Sequence, residues 1–121
     1  MKSVYDTCTK DKVKVSYSLY AMLFELGLCP SSKGTIYLKE LIEYIISNNL
    51  YDYSYKEVLG LFISEKHYEL KNIKTNIKNA LYRIDYSKAK RNFKKYLDLE
   101  FDTYYLSPSN FINIVALKYN D

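Results

Sequence analysis

Apolar residues recur in this sequence at intervals of three and four, in one short stretch after another. That period gathers them on one side of an α-helix, so the chain must bury several helical stripes against each other. From Val15 to Leu26 the stripe is Val15, Leu19, Met22, Leu23 and Leu26. Gly27 suits the residue just past a helix end, and Pro30 reinforces the stop. A second helix is predicted from about Thr35 to Ser47, with Ile36, Leu38, Leu41, Ile42, Ile45 and Ile46 facing inward. Asn48, Asn49 and the polar-aromatic stretch to Tyr53 make the next connection. Ser54-Tyr55-Lys56-Glu57 reads as a capping box, in which the serine caps the first turn and the glutamate reaches back. It opens a third helix carrying Val58, Leu59, Leu61, Phe62 and Ile63, weakened in its first half by Gly60.

Between Lys66 and Asn72 the pattern loses phase at His67-Tyr68-Glu69-Leu70, with no Gly or Pro to mark a turn. It restarts with Ile73, Ile77, Ala80, Leu81 and Ile84, which predicts a helix from Asn72 to Ile84. A tail follows: a basic run from Lys88 to Lys95, an irregular Tyr/Asp-rich segment to Ser107, and Pro108 leading into a last helix that buries Phe111, Ile112, Val115 and Ala116. The expected architecture is all-α, a single compact domain of five or six short helices. It spans residues 15–121 behind an N-terminal extension of residues 1–14.

The 121 residues, 48% hydrophobic and 26% charged, suit one soluble globular domain with a real core. No window approaches the run of about eighteen apolar residues that spans a bilayer. The segment Met1 to Asp6 has no apolar stretch behind it, so secretion is not expected and a cytoplasmic location is. Cys8 and Cys29 have no neighbouring Cys, and His67 is the single histidine. Neither a disulfide framework nor a metal site is expected from so few ligands, and no cofactor either. The 15 tyrosines, beside abundant Lys, Ile and Asn, fit an A/T-rich coding sequence and read as half-buried packing residues with wet hydroxyls.

Charge is unevenly spread. Residues 1–55 carry six basic and six acidic side chains, residues 56–95 carry eleven against four, and residues 96–121 carry one against four. Positive charge concentrated in a central third is the asymmetry expected where one face meets a polyanion. On a wheel at about 100° per residue, Ile73, Ala80, Leu81 and Ile84 all fall within about sixty degrees of Ile77. The opposite face holds Asn72, Thr75, Asn79 and Tyr82, flanked by Lys71, Lys74 and Lys78 on one side and by Asn76 and Arg83 on the other. Amides pair with adenine edges, and lysines reach phosphates or guanine. An apolar back with a polar, cationic front is the layout of a DNA-recognition helix. The segment from Leu61 to Leu70 would then hold the positioning helix and turn of a helix-turn-helix.

The stretch Glu25-Leu26-Gly27-Leu28-Cys29-Pro30-Ser31-Ser32-Lys33-Gly34-Thr35-Ile36-Tyr37-Leu38-Lys39-Glu40-Leu41-Ile42 resembles the opening of the C-terminal effector domain of the stage-zero sporulation transcription factor. That family shows Glu, an apolar residue, Gly, then Lys-Gly, then Tyr-Leu-basic-Glu, then Ile at the same spacing. Phe111-Ile112, Val115-Ala116 and Lys118 resemble its last helix, so the similarity runs from Ser16 to Tyr119. It implies a six-helix fold with a central helix-turn-helix, a sporulation-type transcription regulator that binds double-stranded DNA, and dimerisation on DNA through the last helix. It also implies an endospore-forming low-GC bacterium, or one of its mobile elements, as the source.

The departures are as informative. In that family a phospho-accepting receiver domain precedes this one, whereas only about fifteen residues do here; no aspartyl-phosphate switch is expected within this chain. The family Pro lies two residues after the Gly, and Pro30 lies three after Gly27. Aligned with a one-residue gap near Glu69, Thr75, Lys74, Lys78 and Asn79 stand where the family has Arg, Glu, Arg and His. Thr75 in place of arginine removes a bidentate guanine reader, worth about 1–3 kcal/mol of discrimination. Either the DNA target differs, or base-specific reading is lost while phosphate attraction remains.

The DNA-binding set expected is therefore Lys71, Asn72, Lys74, Thr75, Lys78, Asn79, Tyr82 and Arg83 in the major groove, with Lys33, Lys88, Lys90 and Arg91 on the backbone. The alternative is a protein-interaction module of the same fold that modulates another regulator. No catalytic residues are expected: His67 stands alone at the presumed turn, where a structural or phosphate-contacting role suits it. Gly27, Gly34 and Gly60 are too far apart for a phosphate loop.

Overall fold

The first helix, α1, is described through residues 18–25 and ends where the sequence places its stop. Gly27 takes φ +110°, its N–H bonds to the Phe24 carbonyl at 3.0 Å, and the Leu28 N–H reaches back to the Leu23 carbonyl at 3.1 Å. This pair of bonds satisfies carbonyls that a helix end leaves open, and the buried Leu23 and Leu28 close over it. The structure, a computed structural model, describes residues 18–119. The extension expected over residues 1–14, together with Cys8 and Val15, lies outside the described residues.

The remaining helices are α2 (Lys33–Asn48), α3 (Tyr55–Lys66), α4 (Leu70–Tyr82), α5 (Tyr86–Leu97) and α6 (Pro108–Tyr119), with a 3-10 turn at Thr103–Leu106. No strand occurs among the described residues. Among the described residues the fold is all-α, six helices in one compact body. α2 is its axis and packs against α3, α4 and α6, while α5 packs against α6. Leu38, Leu41, Ile42 and Ile45 of α2 meet Ile73, Ile77 and Leu81 of α4 and Phe111, Ile112 and Val115 of α6 in one buried cluster.

Local chemistry starts and stops these helices. Ser54 and Glu57 form the reciprocal capping box, at 3.1 Å and 2.9 Å. Asp85 caps α5 through the Lys88 N–H at 3.1 Å. The Ser107 hydroxyl accepts from the Asn110 N–H at 3.3 Å, which leaves Pro108 at the first helical position, where its missing N–H costs nothing. Asn49, His67 and Asp98 take the left-handed conformation at the ends of α2, α3 and α5.

Several expectations change. Ile36 was expected inward and is exposed; Ile46 is only half-buried. Thr35 takes the inward position instead, fully buried with its hydroxyl unpartnered. The basic run, which the periodicity assigns to no helix, is the body of α5. Its inner face is Ala89, Phe93 and Leu97, spaced by four, with Phe93 packed on Phe101 and Phe111 at centroid distances of 5.0 and 6.4 Å. α4 starts at Leu70 rather than Asn72 and ends at Tyr82, although Ile84 beyond it is still buried.

Candidate nucleic-acid interface

α4 has two faces of different character. Ile73, Ile77, Ala80 and Leu81 are buried. Lys71, Asn72, Lys74, Thr75, Lys78, Asn79, Tyr82 and Arg83 are all exposed, and Tyr82 keeps 83% of its surface. Asn76 is half-buried, and its amide donates to the Asn72 carbonyl at 2.8 Å and side-chain oxygen at 2.9 Å. No carboxylate lies between Leu70 and Tyr82. Among the described residues the ion pairs are Lys39–Glu43, Lys94–Asp98 and Lys94–Glu100. None involves α4. Lys71, Lys74 and Lys78 instead stack three and four apart, an arrangement that costs an isolated helix about 0.2–0.5 kcal/mol per like-charged pair. Such a face is held in place by the core behind it, not by its own pairing.

α3 and α4 are joined by only His67, Tyr68 and Glu69. His67 takes φ +61°, and its N–H and that of Tyr68 share the Ile63 carbonyl at 2.8 and 3.3 Å. Histidine is among the residues that tolerate this conformation, so the turn needs no glycine. Tyr68 pins it to α2, where its ring lies edge-on to Tyr37 at 5.4 Å and its hydroxyl donates to Glu40 at 3.1 Å, and to α3, where its ring lies edge-on to Phe62 at 5.7 Å. Burial, then the Glu40 carboxylate, raises the Tyr68 pKa above the ordinary tyrosine value. His67 thus supplies the left-handed residue that ends α3, with its side chain exposed.

The asparagine edge of α4 faces the start of α2. A Cβ on Gly34 would lie 2.0 Å from the Asn76 carbonyl oxygen and 2.6 Å from the Ala80 Cβ, so only glycine permits this approach. Beside it opens a groove of about 340 Å3 lined by Cys29, Ser31, Ser32, Lys33, Asn76, Asn79, Ala80 and Arg83. The structure therefore brings Lys33 to α4, from more than forty residues away. Lys88, Lys90 and Arg91 do not line this groove. They stand on α5, where Lys90 and Arg91 are exposed, Lys88 is half-buried, and Arg91 donates to the Ser87 carbonyl at 3.4 Å.

Sequence reasoning missed Cys29, Ser31, Ser32 and the inward role of Asn76. The signal present was Lys33-Gly34 opening a helix, a glycine where a better helix former would otherwise be favoured. The exposed Cys29 thiol lies 3.3 Å from the Ser31 hydroxyl, and hydrogen bonds from Ser31 and from the Ser32 backbone lower its pKa below the ordinary thiol value.

No family model matches the chain, and no curated protein or solved structure matches it either. Among the described residues, no cluster of three His, Cys, Asp or Glu side chains is placed to hold a metal ion, and no helix is long and apolar enough to cross a membrane.

Proposed function

We propose that this chain is a DNA-binding transcription regulator of the sporulation-factor effector type. In this reading α3 and α4 act as a helix-turn-helix and the exposed face of α4 enters the major groove. One observation carries it: α4 presents Lys71, Lys74, Lys78 and Arg83 with Asn72, Thr75 and Asn79 on a rigidly backed surface that has no carboxylate of its own. The lysines supply phosphate attraction, while Asn72 and Asn79 offer the amide geometry that reads adenine. Tyr82, nearly bare of packing, is available to lie against sugar or base edge. The three-residue link and the αL turn at His67 give α3 a fixed place from which to position α4. The resemblance of Lys33-Gly34 and the following Tyr37-Leu38-Lys39-Glu40 to the sporulation effector domain supports the same reading. Thr75 and Asn79 point to a target of different sequence.

The test is to incubate the purified chain with genomic fragments at about 0.1 M salt and sequence what is retained, then titrate the enriched duplex at several salt concentrations. Six phosphate contacts give a log–log slope of about −5. The Lys74→Ala/Lys78→Ala double variant should bind every duplex more weakly and show a shallower slope. A wild-type chain that retains no DNA, or whose binding is indifferent to salt, overturns the proposal. Retention of fragments without an enriched motif would leave a phosphate binder without a base reader. A pull-down dominated by one protein would favour the interaction-module reading.

A further inference from the structure

The groove beside α4 gathers charge from two places far apart in the chain. Lys33 opens α2 and Arg83 follows the end of α4, and both line it together with Ser31, Ser32 and Asn79. No acidic residue lines the groove, and neither cation has a carboxylate within 4.0 Å among the described residues. Their meeting is built into the fold. The Gly34–Asn76 approach fixes the start of α2 against α4. On the other side, the Asp85 N–H donates to the Gly27 carbonyl at 2.9 Å, tying the loop that leads into α2 to the residues just after Arg83. Two like charges are thus brought into one recess by backbone contacts, and an anion between them would relieve their repulsion.

We infer that this groove seats a single phosphodiester of the DNA backbone, clamped between Lys33 and Arg83. The inference rests on the DNA-binding reading above and revises one part of it. Arg83 leaves the base-reading set and becomes a backbone contact, its planar fork matching two phosphate oxygens while Lys33 acts as a point charge. The Ser31 and Ser32 hydroxyls can donate to the remaining oxygens. A phosphate held at the edge of α4 fixes how far the helix enters the groove and at what rotation, which is what backbone contacts contribute to recognition.

A double-mutant cycle on a fluorescently labelled duplex tests it. Lys33→Ala and Arg83→Ala should each weaken binding by about tenfold, the loss of a charge-assisted hydrogen bond. Because both act on one phosphate, the double variant should be weaker than either single by no more than about twofold. Its salt slope should be shallower by about 0.9, the value for one phosphate. A double variant whose loss is the product of the two singles, with a slope shallower by about 1.8, means two separate phosphates and overturns the shared seat. So do singles that bind like wild type while Lys74→Ala/Lys78→Ala still weakens binding, an outcome that leaves the DNA reading standing. Failure of the wild type to bind any duplex removes both. Cys29 gives an independent readout in a Cys8→Ser background. Carboxymethylation places a carboxylate in the groove and should weaken binding well beyond carbamidomethylation, which adds a neutral group of similar size. Equal affinities of the two alkylated forms overturn the inference.

Discussion

Gly34 and Gly60 both lie in helices, so helix propensity alone makes alanine better at each by about 1 kcal/mol. The structure predicts opposite outcomes. At Gly60 an added Cβ meets no atom within 4 Å. Gly60→Ala should therefore stabilise the protein by about 0.5–1 kcal/mol, through a less flexible unfolded chain and a better helix former. At Gly34 the same methyl would sit 2.0 Å from a backbone oxygen and 2.6 Å from the Ala80 Cβ. Neither neighbour is the end of a flexible side chain. α2 and α4 would have to separate by about 1 Å, in a core that packs without slack. Overpacking of this kind costs about 1–3 kcal/mol, and more where backbone must move. Net of the propensity gain, Gly34→Ala should destabilise by about 2 kcal/mol. For a domain of this size that lowers Tm by roughly 8 °C, with Gly60→Ala moving it up by roughly 2–4 °C. Denaturant unfolding followed by circular dichroism measures both, provided the slope with denaturant is unchanged between variants. A Gly34→Ala protein as stable as wild type would refute the close crossing of α2 and α4, and with it the fixed geometry of the groove.

Two further outcomes follow from buried polar groups. The Thr35 hydroxyl is fully buried with no hydrogen-bond partner, so Thr35→Val, close in shape, should be neutral or stabilising by about 1 kcal/mol in the same assay; a loss of stability would reveal a partner for the hydroxyl. Burial raises the pKa of Tyr44, Tyr55 and Tyr68, with Glu65 and Glu40 adding to it for Tyr44 and Tyr68. Between the ordinary tyrosine value, about 10, and the raised one, the folded chain holds protons that the unfolded chain has released, so stability must fall as pH rises above about 10. Tyr68→Phe should make that fall shallower, and an unchanged profile would exclude Tyr68 as a contributor.

What the sequence makes legible is what local physics decides. Gly27, the Ser54–Glu57 box, Pro108 and the inward stripe of α4 each depend on residues within a turn or two. They stand where their spacing puts them. Ile36 misled because α2 is apolar around much of its circumference, so the wheel does not single out which isoleucine looks outward. α5 was hidden because its core residues, Ala89, Phe93 and Leu97, are one per turn among five basic side chains; Asp85 as a cap was the available clue. The α3–α4 turn carried no glycine because a histidine takes the left-handed position, and Tyr68, not a turn residue, anchors it. The groove could not be read at all. It exists only because residues 29–33 meet residues 76–83, and no periodicity within one helix reports a contact between two.

That difference bears on how this surface can evolve. On most of α4 the residues that hold the helix and those that would touch DNA lie on opposite sides. In the DNA-binding reading, exchanging Thr75 or Lys74 would alter what is read for a stability cost within about 0.5 kcal/mol, whereas truncating Ile77 to alanine would cost about 2–5 kcal/mol. The front can drift while the back stays fixed, which is the condition under which a recognition helix acquires a new target. At the groove the separation fails. Gly34 and Ala80 close the core and, by the same contact, set Lys33 beside Arg83. A change that opened the crossing would lose stability and the paired cations together. Selection for folding alone would therefore preserve the Gly34–Ala80 crossing and the recess it shapes, but it would release the exposed side chains of Lys33 and Arg83 just as it releases Thr75 and Lys74.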